Sequence, residues 1–272
     1  MKHRAILKHK SRIVIKTGTR LLTHENGKLN LLRMEKLVRM LAELQNRGKE
    51  VLLVSSGAVG AGMGKLTGAG SPGSVVEKQA LAAIGQAELV RMYQKFFDEY
   101  NKTAAQVLLT RDGIENALRR NNARNTLHTL LEMGVIPIIN ENDTVSTEEI
   151  EFGDNDILSA CVANLVQADL LMILTNTNGV YTSDPFLDTG ARQVPKVLQP
   201  DEDLKDVICS GKTHLGSGGM ESKIAAAELC RENNVDVVIA DGNEPEQVFS
   251  ILEGELYGTM FVSQASQIQT NL

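Results

Sequence analysis

Apolar residues along this chain follow two rhythms that take turns. Short unbroken runs such as Val51-Leu52-Leu53-Val54, Val135-Ile136-Pro137-Ile138-Ile139 and Leu170-Leu171-Met172-Ile173-Leu174 are bounded by polar or glycine residues, as expected of strands covered on both faces. Elsewhere the spacing is helical: Leu31, Met34, Leu37, Val38, Leu41 and Leu44 recur every three to four positions, and Gly48 ends the pattern. The same reading predicts strands over 11–16, 51–54, 104–109, 135–139, 170–174, 193–198, 235–240 and 259–262. Helices are predicted over 30–46, 75–100, 114–133, 157–165, 201–208, 220–231 and 245–252. The basic opening MKHRAILKHKSR reads as a solvated lead-in, 68–74 as a loop, and 263–272 as a frayed polar tail. Strands alternating with helices call for an α/β fold with a mainly parallel sheet and helices on both faces. No repeat or Pro/Ser-rich linker divides the chain.

The totals narrow the function. At 23% charged and 42% hydrophobic, the 272 residues have the balance of an ordinary soluble globular chain. A formal net charge of -6 argues against nucleic acid as a partner, and no apolar run reaches membrane-spanning length. Cys161, Cys209 and Cys230 are odd in number and form no C-x-x-C, which points to reduced thiols and a cytoplasmic setting. His3, His9, His24, His128 and His214 make no metal-ligand spacing.

The informative residues cluster where elements begin and end. Three strands run into small or polar tips: Lys16-Thr17-Gly18-Thr19, Ser55-Ser56-Gly57-Ala58 and Thr175-Asn176-Thr177-Asn178-Gly179. A fourth glycine-rich turn, Gly216-Ser217-Gly218-Gly219-Met220, opens a helix whose first turn carries Lys223. Glycines let backbone N–H groups approach an anion, and a helix start favours negative charge. None of these turns spells a P-loop or a dinucleotide fingerprint. Two acid-and-amide clusters, Asn140-Glu141-Asn142-Asp143 and Asp154-Asn155-Asp156, flank a Thr/Glu-rich loop; Asp154 or Asn155 is a natural N-cap. Either cluster alone reads as turn and cap residues. Together they suit a ligand bearing both an ammonium and carboxylates.

These segments closely resemble the amino acid kinase family and, within it, its glutamate 5-kinase branch. The resemblance rests on IVIKTGT at 13–19, VSSGAVGAG at 54–62, KQALAAIGQ at 78–86, IINENDTV at 138–145, FGDNDILSA at 152–160, LTNTNGVYTSDP at 174–185 and GSGGMESKIAAA at 216–227, in the family's order. It implies a three-layer α/β/α sandwich formed by one domain over 1–262, with an acid-binding half (about 1–168) and a nucleotide-binding half (about 169–262). The implied reaction is ATP-dependent phosphorylation of the L-glutamate γ-carboxylate, the first step of proline biosynthesis. The resemblance further implies Mg²⁺ held mainly by phosphates and water, feedback inhibition by proline at the glutamate site, a homodimer or homotetramer, and functional coupling to glutamate-5-semialdehyde dehydrogenase. Many relatives carry an additional C-terminal PUA domain; after Val262 this chain has only a short tail and looks like the kinase domain alone.

A γ-carboxylate is ionised near neutral pH, so its attack on phosphorus needs no general base; it needs two repelling anions to be positioned. By the resemblance, Lys16 and Lys223 supply positive charge to the transferring group, and Asp156 holds the two lysines in place. Asp143 is expected at the substrate ammonium, and Asp154 and Asn155 in the glutamate-binding loop, with Asn155 donating to a carboxylate. Ser56 and Gly57 are expected against the substrate or phosphoryl group. Gly18, Thr175, Asn176, Ser217, Gly218, Gly219 and Met220, with the two lysines, are expected around ATP. Two positions depart from the family: Asn176, where aspartate is common, and Glu151, where a basic residue can occur and which is expected to point outward. Other readings are a sister kinase with a different acceptor, a non-catalytic amino acid sensor, and a purely structural subunit. An acylated substrate lacks the ammonium that the INEND carboxylates suit, and turnover of ATP separates a kinase from a sensor.

Overall fold

The computed structural model describes residues 2–66, 72–145, 155–208 and 219–271. Its strands are β1 (Arg12–Thr17), β2 (Glu50–Ser55), β3 (Ala104–Leu109), β4 (Ile136–Glu141), β5 (Leu170–Thr175), β6 (Val180–Tyr181), β7 (Gln193–Val194), β8 (Lys196–Val197), β9 (Asp236–Asp241) and β10 (Thr259–Phe261). Eight of them form one sheet in the order β3-β4-β2-β1-β5-β9-β10-β8, and β6 pairs with β7 separately. The six strands from β3 to β9 run parallel; β10 turns antiparallel against β9. The longer helices are α1 (Leu31–Asn46), α2 (Ala58–Lys65), α3 (Val75–Asp98), α4 (Ala117–Glu132), α5 (Asn155–Leu165), α6 (Met220–Glu232), α7 (Gln247–Leu252) and α8 (Gln264–Asn271).

Strand alternation sorts the core into two layers. Ile13 and Ile15, Val51 and Leu53, Ile136 and Ile138, and Leu170 and Met172 face α1, α3 and α7. Val14, Leu52, Val54, Ile139, Leu171 and Ile173 face α4, α5 and α6. The result is the α/β/α sandwich. Each of these side chains is at most 2% exposed, and burying one fully contributes about 1.5–3 kcal/mol. Parity then fixes what happens at the strand tips: Lys16 follows Val14 toward α5 and α6, while Ser55 and Asn140 turn toward α3.

Helix α3 crosses α2 with no space for side chains between them. A Cβ on Gly85 would stand 1.7 Å from the Ala58 carbonyl oxygen, and one on Gly62 2.0 Å from that of Leu81. Two glycines thus let one helix backbone lie against the other.

The predicted elements differ from the fold at places with clear causes. The helix predicted over 114–133 is two, Arg111–Glu115 and α4, because Asn116 leaves the helix and its side chain caps the second at the N–H groups of Leu118 and Arg119. The strand predicted over 193–198 is split between β7 and β8 at Pro195. The segment 201–208 likewise forms two short helices, Pro200–Asp203 and Lys205–Ile208.

Neither terminus is a solvated appendage. Arg4 is 4% exposed and donates to the carbonyls of Pro195, Glu255, Tyr257 and Gly258. The tail over 263–272 contains α8, which docks because Asp236, wholly buried at the start of β9, needs donors. Ser263 N–H, Ser266 Oγ and the Lys10 ammonium supply them at 2.7, 2.7 and 2.6 Å. Among the described residues no helix is long and apolar enough to cross a membrane.

Candidate active site

The parallel strands end together. Thr17 is in register with Ser55 and Leu174, and Thr175 with Asp241, so the tips of β1, β2, β5 and β9 share one edge of the sheet. Ligands of open α/β sheets bind at such carboxyl ends. Helices α5 and α6 start at this edge and pack against each other, each carrying fully buried small residues, Ala160 and Ala163 on one and Ala226 and Ala227 on the other.

That packing brings three residues together. Lys16 Nζ lies 2.6 Å from Asp156 Oδ1, and Lys223 Nζ lies 2.9 Å from Asp156 Oδ2. Their exposures are 2%, 0% and 6% for Lys16, Asp156 and Lys223, so these are core charges and not surface lysines. Burial alone would push the Asp156 carboxyl up; Lys16 and Lys223 outweigh it and hold the group below its ordinary range. Ser222, which the sequence reading did not single out, stands 2.9 Å from both Asp156 Oδ2 and the Gly219 carbonyl, and Lys223 Nζ reaches that carbonyl at 3.3 Å. Gly219 and the half-buried Met220 thus form the start of α6 beside the lysine. Gly18 leaves β1 in an extended conformation, its α-carbon bare toward Lys16 Nζ.

The turn after β2 closes the site from the other side. Gly57 has φ +102°, a left-handed conformation that suits glycine, and it turns the chain directly into α2. Ser56 accepts from Asn155 Nδ2 at 2.8 Å. Asn155 begins α5 and is bonded through the same Nδ2 to Asn140 Oδ1 at 2.8 Å and to the Ser55 carbonyl at 3.2 Å. Asn140, read only as a member of an acid-and-amide cluster, and Gln86, read only as the end of a resembling segment, were given no role of their own by sequence reasoning. The parity that points Asn140 toward α3 was the available signal. Asp143 is half-buried in the turn beyond β4. Thr175 ends β5, and the exposed Asn176 follows, its Oδ1 accepting from Thr175 Oγ1 at 3.3 Å.

Asp154, Ser217 and Gly218, with Glu151 and the Thr/Glu-rich loop, lie outside the described residues. A cavity of about 440 Å³ lined by Ile114, Arg120, Arg124, Cys161, Asn164 and Leu229 opens at the far end of α5 and includes none of the site residues named above. Among the described residues no group of three or more His, Cys, Asp or Glu is placed to hold a metal ion.

The amino acid kinase family profile matches residues 11–241. A glutamate 5-kinase of Clostridium perfringens is 47% identical over 268 residues, covering 97% of this chain and all of that protein. This chain belongs to the amino acid kinase family, on its glutamate 5-kinase branch. A second glutamate 5-kinase, from Caldanaerobacter subterraneus, is 50% identical over 259 residues, which are 95% of this chain and 70% of the relative. Among solved structures, a carbamate kinase of Giardia lamblia bound to AMP-PNP superimposes with a TM-score of 0.68 at 17% identity, covering 94% of this chain and 99% of the other. A UMP kinase of Bacillus anthracis gives 0.65 at 20% identity, covering 94% and 97%. These two share the amino acid kinase fold with this chain.

Proposed function

We propose that this protein transfers the γ-phosphoryl group of ATP to the γ-carboxylate of L-glutamate, forming γ-glutamyl phosphate for proline biosynthesis. The observation that carries the reading is the buried Lys16–Asp156–Lys223 group at the carboxyl edge of a sheet whose chain is 45–50% identical to glutamate 5-kinases.

The roles follow from the chemistry. The nucleophile is already an anion, so no proton has to be removed; the barrier is the approach of two anions and the charge on the transferring group. Lys16 acts on the β- and γ-phosphates and Lys223 on the leaving side, while Asp156 holds both ammonium groups in register without taking a proton. Gly18, Thr175, Asn176, Gly219 and Met220 belong to the nucleotide side, together with Ser217 and Gly218. The amino acid binds beside Ser56, Gly57, Asp143 and Asn155, with the Asp143 carboxylate at the ammonium, and Asp154 is assigned to the same site from the sequence alone. Residues 1–168 then carry mostly the amino acid site and 169–262 mostly the nucleotide site. Mg²⁺ accompanies ATP, with phosphate and water as its principal ligands. Proline competing at the glutamate site, a homodimer or homotetramer, a cytoplasmic setting and coupling to a reductase such as glutamate-5-semialdehyde dehydrogenase, which would consume the labile acyl phosphate, complete the proposal.

The test is ATP- and Mg²⁺-dependent formation of acyl phosphate trapped with hydroxylamine, comparing L-glutamate, N-acetyl-L-glutamate and L-aspartate. Hydroxamate from L-glutamate alone supports the proposal. Product from another acid reassigns the substrate, and no product from any acid overturns the proposal and brings the non-catalytic sensor reading forward.

A further inference from the structure

Beside the buried charges runs a chain of three amides, and groups that cannot reverse their hydrogen-bonding roles fix the direction of each. Asn140 Oδ1 accepts from the Glu141 backbone N–H at 2.9 Å, so the other end of that amide is its donor. Asn140 Nδ2 then donates to Gln86 Oε1 at 2.8 Å. Asn155 Nδ2 faces the Ser55 carbonyl at 3.2 Å and Asn140 Oδ1 at 2.8 Å, two oxygens that only accept, with Ser56 Oγ at 2.8 Å besides. Its two protons therefore have protein acceptors already. Asn155 Oδ1 is buried and has no hydrogen-bond partner among the described residues.

This reverses the role expected for Asn155. A substrate carboxylate brings only acceptors, and it would meet either a donor already engaged or another acceptor. A substrate ammonium brings donors and satisfies the remaining oxygen.

We propose that Gln86 is a positioning residue for amino acid selectivity: through Asn140 it locks Asn155 with its amide oxygen presented as an acceptor for the substrate ammonium. This rests on the glutamate reading given above. Gln86 is 8% exposed and follows Gly85, the residue whose missing Cβ lets α3 lie against Ala58, so the helix crossing sets its place. Removing the Gln86 acceptor strands the Asn140 NH₂ group. The Glu141 N–H and the Ser55 carbonyl oppose turning either amide over, so Asn140 relieves its stranded NH₂ by shifting its side chain, which loosens the Oδ1 that holds Asn155 Nδ2 and with it the placement of the Asn155 oxygen.

The experiment compares L-glutamate with glutarate, the same diacid without the ammonium, in the wild type, Gln86→Leu and Gln86→Glu. Gln86→Leu is expected to raise both KM and Kd for L-glutamate about tenfold, with kcat within about threefold and glutarate affinity within about twofold. Gln86→Glu keeps an acceptor and should restore the preference. Equal losses for the two ligands, a fall in kcat at unchanged KM, or failure of Gln86→Glu to restore would each overturn the proposal. Calorimetric Kd values read the preference without turnover, so a wild type that makes no hydroxamate counts against the reaction alone. A wild type that binds L-glutamate no better than glutarate counts against the role of Gln86. Gln86→Met carries the same comparison should Gln86→Leu not fold.

Discussion

Lys16 and Lys223 share one carboxylate, each ammonium on its own oxygen of Asp156 at 2.6 and 2.9 Å. Two like charges are thereby held together at one edge of the sheet where, alone, they would repel. Asp156→Asn should leave two buried ammonium groups without a counter-charge from that position. The expected loss is about 3–5 kcal/mol of stability, the usual cost of breaking a buried pair, together with a fall in kcat of about 100-fold or more. Urea unfolding and single-turnover kinetics check the two parts separately.

The pH dependence of that contribution has a definite sign. The Asp156 carboxyl lies below its ordinary value of 3.8, burial opposing and the two lysines prevailing. Its contribution is therefore fully present above the unfolded-state value and is lost as pH falls through the folded one. The stability gap between wild type and Asp156→Asn should be constant from about pH 5 to 8 and shrink below about pH 4. A gap that already narrows between pH 6 and 5 would place the carboxyl above its ordinary range instead.

Charge on the phosphates and charge on the amino acid should separate kinetically. Lys16→Ala is expected to lower kcat about 100-fold or more with the L-glutamate KM nearly unchanged, because the lysine acts on the transferring group. Asp143→Ala is expected to raise the L-glutamate KM about tenfold and leave the ATP KM alone. Steady-state kinetics with each substrate varied distinguishes them; an unaltered glutamate KM in Asp143→Ala removes that residue from ammonium recognition.

The α2–α3 crossing should tolerate no methyl group. In Gly85→Ala the new Cβ would fall 1.7 Å from the Ala58 oxygen, a backbone atom that can yield only by moving a helix. A loss of about 3 kcal/mol or more is expected. Thermal melting of Gly85→Ala against Gly48→Ala, where no atom lies within 4 Å but φ is +78°, separates the steric clash from left-handed backbone strain.

The C-terminal helix should contribute to stability through one acid. Ser266→Ala removes the Oγ donor at 2.7 Å from the wholly buried Asp236 and should cost about 1.5–3 kcal/mol, the range for a hydrogen bond to a charged group. Hydrogen exchange in α8 should rise in the same variant. Unchanged stability would mean that Lys10 and Ser263 suffice for that carboxylate.

Sequence alone determined the α/β layering, because uninterrupted apolar runs such as 51–54 and 170–174 can be buried only with cover on both faces. It also determined the chemistry available at the tips of those runs, where glycines and single lysines have little other use. Local pattern failed where the deciding force was a distant partner. The segment 263–272 is polar enough to read as a frayed tail, yet it folds as α8 because a buried carboxylate on β9 requires its serines. Arg4 looked solvated because the four carbonyls that bury it lie at least 191 residues further along the chain. Asn140 and Gln86 lay within segments that carry the resemblance, but their pairing was not legible, since the direction of an amide is set by whatever faces it. Lys16, Asp156 and Lys223 were legible as residues; that they converge on one carboxylate was decided by strand parity and by the packing of α5 against α6. Hydrophobic periodicity is a property of neighbours in sequence, whereas satisfaction of buried polar groups is a property of neighbours in space, and only the tertiary structure fixes the second.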